Sequence, residues 1–136
     1  MRIVIDTNIL ISAIFFDGLP EKLIDLVLSD TVAAIISEDI LREYEVTVQD
    51  MIQKLHAAEF HFSLATLLEH LIVVAPQSQI EICRDPDDDK FINCAVDTGC
   101  EYIVSGDKDL LVLKNYGKVQ ILTVREFFNK EFVSSP

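Results

Sequence analysis

Acidic side chains occur at four places where an alternating strand and helix fold would bring them together. Asp6 directly follows one short apolar run, and Asp107 closely follows another. Glu43 borders the apolar stripe of a predicted helix, and a group of aspartates occupies residues 85–89. Like charges that converge in this way repel one another unless a cation neutralises them. Clustered carboxylate oxygens are the ligands that Mg²⁺ and Mn²⁺ prefer, so the pattern predicts a metal site.

Each acidic position also has a simpler interpretation when it is taken alone. Asp6 could cap a helix, and Glu43 could be a solvated helix residue. The aspartates at 85–89 could complement a helix dipole, and Asp107 could be a turn residue. The metal site is favoured because all four positions are expected at one end of one sheet.

The chain is predicted to alternate strands and helices. Strands are expected at 2–5, 32–36, 71–75, 102–104 and 119–122. Helices are expected at 8–16, 20–29, 59–68, 85–98 and 109–113. Two more helices are expected, one after an N-cap at Ser37 and one after the capping box at 123–126. This alternation predicts a parallel sheet covered by helices on both faces. Ligands of such sheets bind beyond the carboxyl ends of the strands, where the strand order reverses.

Composition limits the class of protein. The 136 residues suit one domain, and half of them are hydrophobic, so the chain can bury a core. It has neither an apolar run long enough for a membrane span nor a signal peptide, so the expected location is the cytoplasm. Three cysteines without a C-x-x-C pair and three scattered histidines argue against a zinc site.

The formal net charge of −12 bears on any nucleic-acid function. Phosphate contacts dominate nucleic-acid affinity, so a passive binder would be basic. Either no nucleic acid is bound, or a cation intervenes. A divalent metal held by the carboxylates is the obvious candidate, and a basic protein partner could also offset the charge.

Three other motifs are excluded because the residues that they require are missing. Asp85, Asp87 and Asp89 imitate the start of an EF-hand loop, which needs glycine at its sixth position and glutamate at its twelfth. Those positions hold Lys90 and Val96. Asn8 cannot replace the second acid of an Asp-x-Asp phosphatase motif, and the chain has no glycine-rich phosphate loop.

Four motifs together resemble the PIN-domain ribonuclease family. They are Asp6-Thr7-Asn8-Ile9-Leu10-Ile11-Ser12-Ala13, Ser37-Glu38-Asp39-Ile40-Leu41-Arg42-Glu43-Tyr44, Arg84-Asp85-Pro86-Asp87-Asp88-Asp89-Lys90-Phe91 and Tyr102-Ile103-Val104-Ser105-Gly106-Asp107-Lys108-Asp109-Leu110-Leu111. The ending, Ile121-Leu122-Thr123 followed by Glu126-Phe127, is similar as well. The resemblance spans nearly the whole chain and is strongest to the toxin components of prokaryotic toxin–antitoxin modules.

The resemblance implies a three-layer α/β/α, Rossmann-like fold with a five-stranded parallel sheet in the order 3-2-1-4-5. It further implies cleavage of single-stranded RNA that depends on Mg²⁺ or Mn²⁺. We expect one nuclease domain at 1–130 and a C-terminal tail at 131–136. For a toxin, the expected partners are a small antitoxin with a basic segment and a second copy of the chain in a homodimer.

We expect Asp6, Glu43, Asp89 and Asp107 to be the catalytic and metal-binding residues, with Asp6 as the central ligand. Glu43 could bind the metal through water or accept a proton. Asp88 could share or take the role of Asp89, and Asp109 is a further candidate ligand.

Four other side chains are expected around the acidic cluster. Asn8 and Ser105 are candidates to orient ligands or phosphate. Lys90 and Lys108 are candidates to contact RNA phosphates, although each could also be a solvated lysine.

Two functions from other classes compete with the nuclease. A catalytically silent PIN-fold interaction module is the main alternative, and the intact acids in all four motifs argue against it. A phospho-receiver domain would need a phosphorylatable aspartate after the third strand, where Val74, Ala75 and Pro76 stand.

Overall fold

The computed structural model of the chain describes residues 1–56 and 60–132. The strands are β1 Arg2–Ile5, β2 Ala33–Ser37, β3 Leu71–Val74, β4 Tyr102–Val104, β5 Asn115–Tyr116 and β6 Val119–Leu122. The helices are α1 Thr7–Phe15, α2 Leu19–Leu28, α3 Glu38–Leu55, α4 Leu64–Leu68, α5 Asp89–Asp97, α6 Lys108–Leu111 and α7 Val124–Glu131, with a 3-10 turn at Pro86–Asp88. In the part of the chain described, no helix is both long and apolar enough to cross a membrane.

The strands form one sheet in the order β3-β2-β1-β4-β6-β5. The five predicted strands pair in parallel and in the predicted order, so the α/β fold with β1 and β4 side by side is confirmed. The predicted number of strands is wrong, because β5 adds a sixth that pairs antiparallel with β6. This strand has only two residues, and a two-residue strand shows no alternation of apolar and polar side chains that a sequence could reveal.

Helices flank the sheet, and the core lies between them and the central strands. Ile3, Val4, Ile103 and Val104 are fully buried. Helix α5 packs on β1, β2 and β4, and α1 packs on α2 and α3. Fully buried central strands are typical of parallel sheets covered on both faces.

Helix α3 begins where the sequence predicts. The Ser37 hydroxyl accepts the Ile40 amide at 3.3 Å, which satisfies one of the free amides of the first turn. Ile40, Tyr44 and Val48 of the predicted apolar stripe are buried, whereas Leu55 is 43% exposed. The stripe therefore packs on the core along its first half and is exposed to solvent near its end.

Two helix predictions need correction. The helix expected at 59–68 starts at Leu64, where the Ser63 hydroxyl accepts the Thr66 amide at 3.1 Å, while Glu59 lies outside the described residues. The helix expected at 85–98 starts at Asp89, because Pro86–Asp88 winds as a 3-10 turn. The domain and tail boundary stays a prediction, since α7 reaches Glu131 and residues 133–136 are not described.

Candidate functional site

One part of the site forms where β1 and β4 end side by side. Ile5 pairs with Val104, and the Asp6 amide donates to the Val104 carbonyl at 2.9 Å. The Ser105 hydroxyl donates to Asp6 Oδ2 at 2.6 Å. Its oxygen accepts the Asp107 amide at 2.9 Å. One fully buried hydroxyl therefore fixes the Asp6 carboxylate relative to the backbone of Asp107.

Asp6 precedes α1 but does not cap it with its side chain. Its backbone carbonyl accepts the first amides of the helix, while its carboxylate forms no capping bond within the described residues. Burial raises the pKa of Asp6 above its usual value. The charges of Asp107 and Glu43 raise the pKa too, whereas the hydrogen bond from Ser105 lowers it. A carboxylate that is 5% exposed among other carboxylates fits a cation ligand better than a structural cap.

Three aspartates form the most compact acidic group near Asp6. Asp88, Asp107 and Asp109 each offer a carboxylate oxygen, and these oxygens lie within 4.8 Å of one another. Asp107 Oδ1 also accepts the Asp109 amide at 2.9 Å and so caps α6. Burial, followed by the charge of Asp107, raises the pKa of Asp88 to about 7. Asp88 therefore tends to keep its proton near neutral pH when no cation is bound.

Asp88 has a second unusual property. Its Oδ2 atom is buried and has no hydrogen-bond partner within the described residues. A buried anionic oxygen without a donor or a cation is costly. The donor set around it consists of oxygen ligands, so the residues present fit Mg²⁺ or Mn²⁺.

The predicted ligand Asp89 is directed elsewhere. Its Oδ1 accepts the amides of Ile82 at 3.1 Å and Cys83 at 2.8 Å. Burial raises the pKa of Asp89, but these hydrogen bonds outweigh burial and leave the pKa below its usual value. Asp88 thus lies beside Asp107, whereas Asp89 holds a loop through Oδ1, and the role of Asp89 as a metal ligand stays a prediction.

Asp89 belongs to a row of acceptors on one face of α5. Asn93 and Asp97 follow it at helical steps of four, so the three side chains project to the same side. Asn93 Oδ1 accepts the Ile80 amide at 2.7 Å, and Asp97 Oδ2 accepts the Ser78 amide at 2.7 Å. We call residues 77–83 the strap, because this row fastens the segment along α5.

Glu43 reaches the site from α3. The Tyr44 hydroxyl donates to the Ile5 carbonyl and thereby ties this helix to the end of β1. Glu43 Oε2 accepts the Thr7 hydroxyl, and Glu43 Oε1 lies 2.6 Å from Lys90 Nζ. Both carboxylate oxygens are thus held by groups of the chain.

The two lysines that are candidates to contact RNA phosphates differ in their surroundings. Lys90 Nζ lies 3.1 Å from Asp87 Oδ1 as well as beside Glu43. Burial lowers the pKa of Lys90, but the hydrogen bonds with Glu43 and Asp87 outweigh it and raise the pKa overall. Lys108 is exposed, and within the described residues it forms no ion pair. Lys108 therefore remains accessible to a phosphate, whereas Lys90 is already paired.

A groove of about 920 Å³ opens beside Glu43 and Lys90. Helix α3 contributes Arg42 and Val46 to its wall, and the strap contributes Ile80. The groove therefore offers room for an extended ligand next to the candidate site.

A second group with metal-ligating atoms contains none of the predicted site residues. His61 Nε2 lies 3.0 Å from Asp17 Oδ1, and His61 Nδ1 lies 3.3 Å from Glu21 Oε2. The Nδ1 atom also lies 3.1 Å from the Ala13 carbonyl oxygen. These contacts fasten the segment before α4 to the junction of α1 and α2.

Comparison with known proteins identifies the family. The model of the PIN domain family matches residues 2–109. The chain belongs to the PIN domain family. Proteins of this family are commonly nucleases that use divalent metal ions.

An uncharacterized protein of the archaeon Methanocaldococcus jannaschii is 30% identical to this PIN domain over 140 residues. The alignment covers 98% of the chain described here and 90% of the archaeal one. No solved structure matches the chain.

The matched part of the PIN domain contains all the acids of the candidate site, from Asp6 to Asp109. Of the two candidates to orient ligands, Ser105 contacts Asp6. Asn8 is exposed, and within the described residues its side chain forms no hydrogen bond. The neighbouring Thr7, which sequence analysis passed over, is 4% exposed and bonds Glu43 instead. The feature of the sequence that could have indicated this contact is the position of Thr7 directly after Asp6.

Proposed function

We propose that this PIN domain is an endoribonuclease that hydrolyses phosphodiester bonds of single-stranded RNA with Mg²⁺ or Mn²⁺ as cofactor. The observation that carries the proposal is the buried Oδ2 atom of Asp88, which lacks a partner within the described residues. Asp107 and Asp109 lie beside it, and the charge of Asp6 acts on it. A divalent cation would offset both the burial of this oxygen and the repulsion among the carboxylates.

In this proposal Asp6, Asp88 and Asp107 would hold the ion, and Asp109 would complete the acidic group. When bound, a divalent ion supplies the acidity that makes water a nucleophile at neutral pH, together with positive charge for the phosphate. Ser105 orients Asp6 by its hydrogen bond.

Glu43 is the proposed proton acceptor for the attacking water. The Thr7 hydroxyl and Lys90 hold its carboxylate in one orientation, which favours proton transfer in a fixed geometry. Asp89 positions the strap in this scheme and is not a ligand.

The charge of the chain bears on how RNA would bind. With a net charge of −12, the protein depends on local cations to hold phosphates. A bound divalent ion would provide one such charge, and exposed Lys108, which follows Asp107, would provide another. We assign the phosphate contact to Lys108 in preference to Lys90, which is already paired with Glu43 and Asp87.

We further propose that the protein is the toxin of a toxin–antitoxin pair in the cytoplasm. Its partner would be a small antitoxin whose basic segment complements the acidic surface, and the toxin would form a homodimer. The strong negative charge and the open groove beside the carboxylates support a cationic partner. Co-purification of a small basic protein that inhibits cleavage is the expected result.

A cleavage assay tests the nuclease proposal. Mixed RNA is incubated with purified protein and Mg²⁺, Mn²⁺ or excess chelator, and the cut sites are mapped. We expect cleavage of single-stranded regions with either metal and none with chelator. Asp88→Asn should abolish cleavage, whereas Asp89→Asn, the matched control, should retain it because an amide oxygen can still accept the two strap amides.

Cleavage that continues in chelator would contradict the metal chemistry. A folded protein that binds metal but cuts no RNA under any of these conditions would favour the silent interaction module instead.

A further inference from the structure

Both oxygens of the Glu43 carboxylate are engaged by side chains that are themselves mostly buried. Oε2 accepts the hydroxyl of Thr7, which is 4% exposed. Oε1 lies 2.6 Å from Nζ of Lys90, whose side chain is 15% exposed. A divalent ion could bind Glu43 directly only by displacing one of these groups. Glu43 thus differs from Asp88, whose Oδ2 atom has no partner within the described residues.

The ammonium group of Lys90 is fixed by several contacts. It lies 3.1 Å from Asp87 Oδ1 and 5.7 Å from the centre of the Phe91 ring, which adds a cation–π contact. Lys90 also lies in the first turn of α5, so its backbone is held by a helix that packs on the central strands. A positive charge is therefore built into the Glu43 side of the site.

Asp6 is linked to both parts of the site. The Ser105 hydroxyl joins its carboxylate to the Asp107 amide, and Thr7, the next residue in the chain, bonds Glu43. Phosphodiesterases that use two metals hold the ions about 3.5–4 Å apart, bridged by shared carboxylates. In this protein Glu43 is the carboxylate that would complete a second metal position, and it is paired with the ammonium group of Lys90.

We infer that Lys90 takes the place of a second metal ion, so that the site binds one divalent cation, beside Asp88 and Asp107. The inference rests on the proposed metal-dependent nuclease function. An ammonium group and a divalent ion at the same carboxylate would repel each other at short range. Lys90 neutralises and orients Glu43 and thereby acts as a positioning residue of the site.

The test counts bound Mn²⁺ by equilibrium dialysis with metal analysis and examines the ions by electron paramagnetic resonance. The wild type should bind one ion with an uncoupled signal. Lys90→Met removes the charge and keeps an unbranched side chain over Phe91, and it should bind two magnetically coupled ions. Lys90→Arg retains the charge and should bind one. Lys54→Met, which removes an exposed lysine from the last turn of α3, is the control and should also bind one.

A wild-type protein that binds two ions would overturn the inference while leaving the nuclease proposal intact. A folded Lys90→Met variant that still binds one ion would also overturn it. A wild type that binds no Mn²⁺ would overturn the metal-dependent function itself. Glu43→Gln, which leaves Lys90 unchanged, should keep the single ion, and loss of that ion would show that Glu43 is a direct ligand and the inference wrong.

Discussion

The hydroxyl of Ser105 donates to the carboxylate of Asp6 at 2.6 Å across the ends of two neighbouring strands. The two residues are 99 positions apart in the sequence, and only the parallel pairing of β1 with β4 brings them together. The same oxygen accepts the Asp107 amide, so one side chain organises two of the proposed ligands. Partners of this kind typically set both the orientation and the affinity of a metal site.

Ser105→Ala should therefore weaken metal binding. Loss of an orienting partner typically costs about 10- to 100-fold in metal affinity or activity. Because the Ser105 hydrogen bond lowers the pKa of Asp6, its loss should also move the acid limb of the pH–activity profile to higher pH. Mn²⁺ titration and a pH–rate profile measure both effects. Ser29→Ala, which removes an exposed hydroxyl, is the control and should change neither.

Asp88→Asn and Asp89→Asn should differ in their response to metal. Metal at about 100 times its dissociation constant adds roughly 2.7 kcal/mol to the free energy of unfolding, or on the order of 10 °C in melting temperature. Asp88→Asn should lose most of that shift, and Asp89→Asn should keep it. Asp89→Ala should instead lower stability by about 1–3 kcal/mol without metal, because two strap amides lose their acceptor. Equal loss of the metal response in both asparagine variants would contradict the assignment of Asp88.

The stability of the metal-free protein should fall as pH rises through about 7. The pKa of Asp88 is about 7 in the folded protein, against an ordinary value of 3.8. The raised pKa means that Asp88 contributes most to stability below pH 3.8, and the contribution is lost as pH rises through 7. Mn²⁺ binding requires deprotonated ligands and should strengthen over the same range. Denaturant unfolding at several pH values, with and without Mn²⁺, shows whether the free energy of unfolding falls or rises with pH. Asp88→Asn should reduce the pH dependence of the metal-free protein.

Asp6→Asn should abolish cleavage without destabilising the metal-free protein. The substitution removes a buried charge that is repelled by Asp107 and Glu43, and the amide oxygen can still accept the Ser105 hydroxyl. Thermal melts should show equal or higher stability without metal and a much smaller shift with Mn²⁺ than in the wild type. A less stable variant with an unchanged metal response would mean that Asp6 has only a structural role.

The strand-end rule predicted that Asp6 and Asp107 lie at the same end of the sheet. The two strands that they follow, β1 and β4, are apolar enough to be identified from the sequence, and they do pair side by side. The choice between Asp88 and Asp89 could not be predicted in the same way. The chain passes from a 3-10 turn into α5 between these two residues, and the number of residues per turn changes there. A small change in winding decides which carboxylate faces Asp107.

The contacts of Glu43 were also beyond sequence analysis. Its partners Thr7 and Lys90 lie on α1 and α5, and no spacing within the sequence relates the three helices to one another. Sequence analysis identified Lys90 by its charge as a candidate to contact phosphate or as a solvated lysine. The structure pairs it with Glu43 because α3 and α5 pack together.

The row of acceptors on α5 has a consequence for the exchange of amide hydrogens with solvent. The strap has no helix or strand, yet the amides of Ser78, Ile80 and Cys83 are bonded to side chains of a helix that packs on the central strands. Amides protected in this way open only when the helix that holds them releases them. This irregular segment should therefore exchange nearly as slowly as α5 itself, and the wall of the groove that it forms should be rigid before any ligand arrives.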